Sequence, residues 1–465
     1  LLVEKDDVDL LSPTAVLAGS DQDFLEGTSA LLAASPYSTS FFTAFEAHFD
    51  VKNYIDYFVF ETYAQNTDWL GLAWGLNNVK TFRAAPDQPW RYLMYDTDAG
   101  FGFFGANVND NFIDWARNPN YPSVHSNMFD KVLLNNAFRL RFINRYADLI
   151  NTMFQPLNFN TEVSETLAMM SGTMPHHIDR WNSPETYSSW LNAISNLTSY
   201  NASRVNTART HLKNSFGLPA DYNCTLDVFP PPAGAVRVNT ITPGPLPWQG
   251  VYFEECPIEL EAIATEGWMF DSWDNNQHIL AGDMNADTRI TSVPLFTNDL
   301  FRARFVPCPE DATAMIVSNG GLLSVSLENI PYADSIAWFL EDGFVGAGSE
   351  WAPNVDGSFT AEVFFDGCSA ISPSFEAGAV DVELLQPDNA FKLWPNPANE
   401  SFTFQMPTPR PFRVFNAMGQ AVWESLPSSG MNPEKTNVQV PTNEWPEGTY
   451  VVRSGPNAFK LVVQR

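Results

Sequence analysis

Asp96 and Asp98, separated by one residue, close the apolar run in WRYLMYDTDAGFGFFG, residues 90 to 105, and Gly100 and Gly102 follow. Hard oxygen ligands of this type suit magnesium or manganese. If RYLMYDTD is a strand, side chains alternate and the two carboxylates share a face, about 6 to 7 Å apart. One would then ligate a metal and the other its water or a second ion, while the glycines let the backbone approach a phosphate closely. The same D-x-D followed by glycine also ends many strands. The spacing alone therefore leaves both readings open.

Other clusters carry less chemistry. GDMNADTRI offers Asp283, Asn285 and Asp287 at alternate positions, as a calcium loop begins, but has no Gly at the sixth position and no Glu at the twelfth. It reads as a solvated acidic loop. His176 and His177 stand beside Asp179 and Arg180, and His48 and His125 stand alone; structural roles suit all of them better than a metal site. Neither GxSxG nor HExxH occurs, which leaves serine hydrolases and zincins without support.

The chain has 54 acidic against 25 basic residues, a formal net charge of -29. Such a surface repels phosphate backbones and anionic lipid, which argues against nucleic-acid binding. A length of 465 residues, 45% of them hydrophobic, supports several cores. No run of about twenty apolar residues is present to cross a membrane. The opening LLVEKDDVDLL lacks an initiator Met and an export segment, so the chain reads as the C-terminal part of a longer polypeptide. Cys224, Cys256, Cys308 and Cys368 form no CxxC; they allow three disulfide connectivities, or buried free thiols.

The first half must position the carboxylates. VKNYIDYFVFETYAQNTDW puts Tyr54, Ile55, Phe58, Val59 and Tyr63 at helical spacing, and NNAFRLRFINRYADLINTMF repeats the pattern. ETYSSWLNAISNLTSYNASRVNTARTHLKNSFG reads as a helical pair closed by Gly217. VKTFR and WRYLMYD fit short strands, so residues 1–220 are α+β with helices dominating. Pro230, Pro231, Pro232 and Gly234 form a stiff connector, beyond which short β runs alternate with turns. Three β modules follow, at 224–309, 310–384 and 385–465. In the first, the alternation of IELEAIA predicts a half-buried strand; in the second, turn signals recur as a β-sandwich requires.

The last module carries FKLWPNPANESFTFQMP, FRVFNAMGQAVWE and GTYVVRSGPNAFKLVVQR. Its landmarks, in order, are the Pro395–Pro397 turn, Asn416 to Gln420 with Met418-Gly419 as a hairpin tip, and the strand start Gly448-Thr449-Tyr450. It resembles the C-terminal sorting domain of type IX secretion substrates in Bacteroidetes. The resemblance implies export by the type IX secretion machinery to the outer cell surface or beyond. Residues 224–309 resemble a bacterial repeat of the internalin-B type through Tyr252, Gly267, Phe270 and Trp273, and 310–384 an Ig-like module through Trp338 and Cys368.

NYIDYFVFETYAQNTDW, LNNVKTFR, WRYLMYDTDAGFG and MPHHIDRWNSPETYSSW together resemble the CotH family of secreted atypical protein kinases, over roughly residues 20–218. The resemblance implies phosphoryl transfer from ATP with magnesium or manganese, a chemistry that needs positioned metal ions and a carboxylate to orient the hydroxyl. It matches Asp68 to the catalytic-loop Asp, Asn77 or Asn78 to the downstream cofactor-binding and metal-binding Asn, and Asp96 with Asp98 to the metal-binding D-x-D. It also puts Arg180-Trp181 on a helix, packed or paired with an acid. The implied fold is multidomain: an α+β protein-kinase-like C-lobe with its N-lobe truncated, then three β-sandwich-type modules.

Two departures stand out. WLGLAWGL between Asp68 and the Asn pair is longer than the compact form D-W-P-G-N-N found in relatives. A kinase also needs an N-lobe with a Gly-rich loop and a Lys for the phosphates. Before Lys80 there are only Lys5 and Lys52, and no such loop, which puts the N-lobe upstream of Leu1. The reading is an exported kinase acting on a protein substrate; the alternative is a non-catalytic surface or adhesion protein with a degenerate kinase-like domain, which the scarcity of extracellular ATP favours.

Overall fold

The computed structural model describes residues 8–12, 15–73, 75–278, 289–378, 391–406, 411–416, 420–425, 437–443, 445–454 and 457–464. Asp283, Asn285 and Asp287 of the acidic loop lie outside them, as do Met418 and Gly419. The chain divides into two compact units, Leu1–Ile263 with Asp271–Arg304, and Ala264–Phe270 with Phe305–Arg465.

The first unit opens with β1 (Asp9–Ser12) and β2 (Ala15–Ala18), then α1 (Gln22–Ala33), α2 (Thr39–His48) and α3 (Val51–Ala64). The strands β3 (Lys80–Arg83) and β4 (Arg91–Leu93) follow. Next come α4 (Phe112–Arg117), α5 (Val124–Leu133), α6 (Asn136–Asn151), α7 (Pro156–Ser171), α8 (Met174–Trp181) and α9 (Tyr187–Phe216). The four strands form one sheet in the order β2-β1-β3-β4. A salt bridge of 2.6 Å between Arg83 and Asp9 fastens β1 to β3.

α3 is the core element. Asp50 starts it by accepting a hydrogen bond from the Asn53 amide at 3.0 Å. Its expected face, Tyr54, Ile55, Phe58, Val59 and Tyr63, is buried, and Tyr57, Glu61, Thr62 and Ala64 are buried with it. The helix is therefore enclosed on most sides. Phe58 stacks on Phe129 of α5 at 4.2 Å between ring centroids, and Tyr63 on Phe154 at 3.8 Å.

The expected helical pair is instead one 30-residue helix, α9. No Pro or Gly interrupts residues 187–216, so nothing breaks the ladder until Gly217, which closes it at φ 66°. The proline connector is also corrected. Strand β5 (Asp221–Phe229) precedes it, and Pro231–Ala233 is a single 3-10 turn leading into β6 (Gly234–Val238). The prolines thus join two strands of one module.

That module continues with β7 (Trp248–Phe253), β8 (Ile258–Ala264), β9 (Trp268–Asp274), β10 (Ile290–Val293) and β11 (Asp299–Pro307). In β8, Ile258, Leu260 and Ala262 point inward as their alternation predicts. Its sheets run β10-β8-β6 and β7-β5-β11-β9, with β11 parallel to β5.

A buried polar seam ties α6 to this module. The Asp148 carboxylate accepts from the Asn239 amide at 3.1 Å, the Thr240 N–H at 3.0 Å, the Thr240 hydroxyl at 2.6 Å and the Tyr252 hydroxyl at 2.8 Å. Asn151 extends the seam: its side chain donates to the Val251 carbonyl at 2.8 Å and accepts from the Val251 N–H at 3.0 Å, as a neighbouring strand would. Burial raises the Asp148 carboxyl above its ordinary pKa, and the hydrogen bonds from Thr240, Asn239 and Tyr252 oppose the shift.

In the second unit, strand Ser335–Leu340 lies between Gly343–Ala347 and Gly357–Phe365, and carries Trp338 at 0% exposure as expected for a central strand. Leu323 and Trp351 of the sheet Thr313–Asn319, Leu322–Glu328 and Glu350–Trp351 share that core with Phe359 and Val363. Neither cysteine alternative applies to all four residues. Cys308 is bonded to Cys368, whereas Cys224 and Cys256 are buried thiols; burial pushes the Cys256 thiol up to about 11.

The chain ends in two sheets around Phe402, Phe404, Val414, Val452 and Leu461. Tyr450 pairs with Leu461 and Val451 with Lys460. Asn396, between Pro395 and Pro397, donates to the Lys460 carbonyl and accepts from the Val462 N–H, both at 2.8 Å. The turn is thereby fixed to the last strand.

The seam makes a testable claim. Asp148→Ala leaves the buried Tyr252 hydroxyl without its acceptor and removes the hydrogen bonds from Asn239 and Thr240, and is expected to cost about 3 kcal/mol. Urea denaturation followed by fluorescence would show this as a lower midpoint with unchanged slope. A midpoint within error of the parent chain would show that the seam contributes nothing.

Candidate functional site

The site is built from the end of α3 and one end of the β3–β4 hairpin. In that hairpin Lys80 pairs with Leu93 and Thr81 with Tyr92. Asn77 and Asn78 therefore enter where Tyr95 and Asp96 leave. The Lys80 ammonium lies 3.0 Å from the centroid of the Tyr95 ring, a cation–π contact that clasps this end of the hairpin.

α3 stops at Ala64 because Gln65 adopts the left-handed conformation, at φ 57°. The Gln65 amide donates to the carbonyls of Asn107 at 3.0 Å and Asp110 at 2.7 Å. From α9, the fully buried Arg204 donates to the Tyr63 carbonyl at 2.8 Å and the Thr62 carbonyl at 3.1 Å, closing the helix with a cation. Arg204 also donates to His211 Nδ1 at 3.0 Å, so His211 Nε2 carries the proton and donates to the Asn109 carbonyl at 3.0 Å.

Beyond the helix, the expected residues converge. The Asp68 carboxylate accepts two hydrogen bonds from the Asn77 amide, at 3.0 and 3.1 Å, and one from the Asn78 amide at 3.1 Å. Asn78 Nδ2 also donates to the Asp68 carbonyl at 2.9 Å. Asn78 stands at φ 53°, which Asn tolerates better than most residues. The longer WLGLAWGL segment therefore still returns the Asn pair to Asp68.

Hydrogen bonds join this loop to the one carrying the D-x-D. The Thr67 N–H donates to the Ala99 carbonyl at 3.2 Å, and the Asn66 amide reaches the Asp96 carbonyl at 3.5 Å. Asp96 and Asp98 are exposed and form no ion pair among the described residues.

The strand geometry expected for the D-x-D is corrected. β4 ends at Leu93, Asp96 is left-handed at φ 53°, and Asp98 lies in a turn. The two carboxylates thus do not alternate along a strand; the bond from Thr67 to Ala99 holds the segment in its own loop. The glycines also have a different use. A Cβ on Gly102, at φ 79°, would lie 2.6 Å from the Tyr200 ring, and one on Gly100 3.2 Å from the Ala64 carbonyl. They admit close packing of the loop on α9 and α3.

His48 and His125 are structural. His48 bonds the Thr28 hydroxyl and His125 the Tyr92 hydroxyl, both at 3.0 Å, and burial lowers each to about 4. His176 and His177 are exposed on α8, where the Arg180 guanidinium lies 4.8 Å from the Trp181 ring. Among the described residues, no group of three or more His, Cys, Asp or Glu side chains gathers as a metal centre.

Glu61 and Asn66 were not singled out by sequence reasoning. Glu61 has 0% exposure, and burial pushes its carboxyl up to about 8 against the opposing hydrogen bond from Asn66. The available signal was one acid inside the apolar stretch YFVFETYA. A carboxyl raised from 4.5 to about 8 stabilises the fold fully below its unfolded value and loses that contribution as pH rises through 8. Relative to Glu61→Gln, the parent chain should therefore lose stability between pH about 5 and 9. Parallel pH profiles of the two urea midpoints would contradict this. Gly102→Ala should cost about 2 kcal/mol or more in the same assay, through its positive φ and the Tyr200 ring; a neutral result would return Gly102 to an open, ligand-facing role.

Comparison with known families matches residues 5–207 to CotH kinase protein and residues 392–464 to the secretion system C-terminal sorting domain. No curated protein matches the chain. Among solved structures, a biofilm-associated protein BSP domain is similar at 8% identity and TM-score 0.13, covering 53% of this chain and 66% of that one. Dimeric latent PorU from Porphyromonas gingivalis is similar at 12% identity and TM-score 0.11, covering 56% of this chain and 38% of that one.

Proposed function

We propose that this chain, a secreted or outer-surface protein with a CotH domain over residues 5–207 and a type IX C-terminal sorting domain over residues 392–464, transfers phosphoryl groups from ATP to protein Ser or Thr hydroxyls. Magnesium or manganese would assist. The observation that carries the reading is the Asp68 carboxylate held by Asn77 and Asn78, on a loop bonded to the one bearing Asp96 and Asp98.

The donor set fits a hard cation. Asn78 commits its Nδ2 to Asp68, and its Oδ1 has no hydrogen bond among the described residues. With the two exposed carboxylates it offers the oxygen ligands that Mg2+ accepts beside water and phosphate oxygens. When bound, the ion would neutralise charge on the phosphates. Asp68 has the role of orienting the acceptor hydroxyl and taking its proton, and the two amides hold its carboxylate for that task. In this reading the helical part is a kinase-like C-lobe and the β half a series of sandwich modules that display it.

One observation favours a non-catalytic surface protein instead: the Asp68 carboxylate already accepts three amide hydrogen bonds. Incubation with γ-labelled ATP, Mn2+ and a protein acceptor separates the two. Label should appear with the full-length protein, which is expected to supply the N-lobe, and fall at least a hundredfold in Asp68→Asn and Asp96→Asn, about 2.7 kcal/mol. No label above background would favour the surface role, and full labelling by Asp96→Asn would remove Asp96 from the mechanism.

A further inference from the structure

Glu61 sits in the last turn of α3 with no exposed surface. Its Oε2 accepts from Asn66 Nδ2 at 3.0 Å, whereas its Oε1 is buried with no partner among the described residues. An acid in so apolar a helix is costly to bury unless its position is used. The same Asn66 amide reaches the Asp96 carbonyl at 3.5 Å through Nδ2, while its Oδ1 accepts from the Asp68 N–H at 3.1 Å. One side chain therefore touches both loops of the candidate site.

The amide could also be turned about its axis. That orientation would set its NH2 against the Asp68 N–H, donor facing donor, and its oxygen against the Asp96 carbonyl, acceptor facing acceptor. An acceptor at position 61 adds a further contact that favours the productive orientation. A hydrophobic residue there would fill the space without doing so.

We propose that Glu61 is a positioning residue for the candidate site, acting through Asn66 to hold the Asp68 loop and the Asp96 loop in register. The inference rests on the reading of Asn78, Asp96 and Asp98 as a metal site. Glutamine at position 61 keeps the acceptor, with its own NH2 at the unpartnered position; methionine keeps the volume and loses the acceptor.

Binding of Mn2+ alone to the full chain, followed by electron paramagnetic resonance, tests the proposal. Glu61→Gln should bind as the parent does, whereas Glu61→Met and Asn66→Ala should each weaken binding about tenfold or more, as loss of an outer hydrogen-bond partner does. Circular dichroism reports folding, and Asn66→Ala carries the test if Glu61→Met fails to fold. Asp96→Asn is the control for the underlying reading. If it weakens Mn2+ binding while Glu61→Met and Asn66→Ala bind like the parent, the positioning role is overturned and the metal site stands. If the parent binds no Mn2+, or Asp96→Asn is without effect, the metal site falls and the positioning role with it.

Discussion

Arg204, fully buried on α9, spends its guanidinium on the carbonyls of Thr62 and Tyr63 and on His211. These carbonyls belong to the last turn of α3, where a helix leaves acceptors without intrahelical donors. A buried cation facing helix carbonyls satisfies them and interacts favourably with the negative end of the helix dipole. The helix consequently ends at a fixed residue. From there the chain has only Gln65, Asn66 and Thr67 in which to reverse direction before Asp68, so small errors at Ala64 would be carried straight to the carboxylate.

Around that fixed end, the loops are organised by side chains that imitate backbone. Gln65, Asn66, Asn77 and Asn78 all donate through their amides, and each joins segments that form no regular ladder with one another. Neutral amides suit this task because they satisfy buried carbonyls without placing a second charge beside Asp68. The same device recurs in the β half of the unit, where Asn151 completes the edge of β7, and in the sorting domain, where Asn396 holds the final strand. Asn is thus a structural joint in several parts of this chain, which makes its presence beside a carboxylate an ambiguous signal by itself.

Elements set by local periodicity were legible in the sequence. The buried face of α3, the alternation of β8, Trp338 on a central strand and the strand start at Gly448 all depend on spacing within a few residues. Proximity among the candidate residues was legible in part: Asp68, Asn77 and Asn78 do meet, and the Asp96 loop is bonded to theirs. Its geometry was not legible, because it is set by contacts between distant residues. Tyr200 decides why position 102 is glycine, and Thr67 decides that Ala99 lies in a loop. Glu61 was missed for a related reason, since an acid at one helical position reads as solvated until its burial is known. Cys308 and Cys368 likewise stand 60 residues apart, and spacing could not single them out.

In the proposed function the oxygens of Asn78, Asp96 and Asp98 form one metal site beside Asp68. This is tested most directly by a crystal structure of the full-length protein grown with Mn2+ and a non-hydrolysable ATP analogue, using anomalous scattering to locate the metal. A manganese peak bonded to oxygens of those residues and to phosphate oxygens of the analogue is expected. A nucleotide and metal bound elsewhere, or no anomalous peak at Asp96 and Asp98, would contradict it.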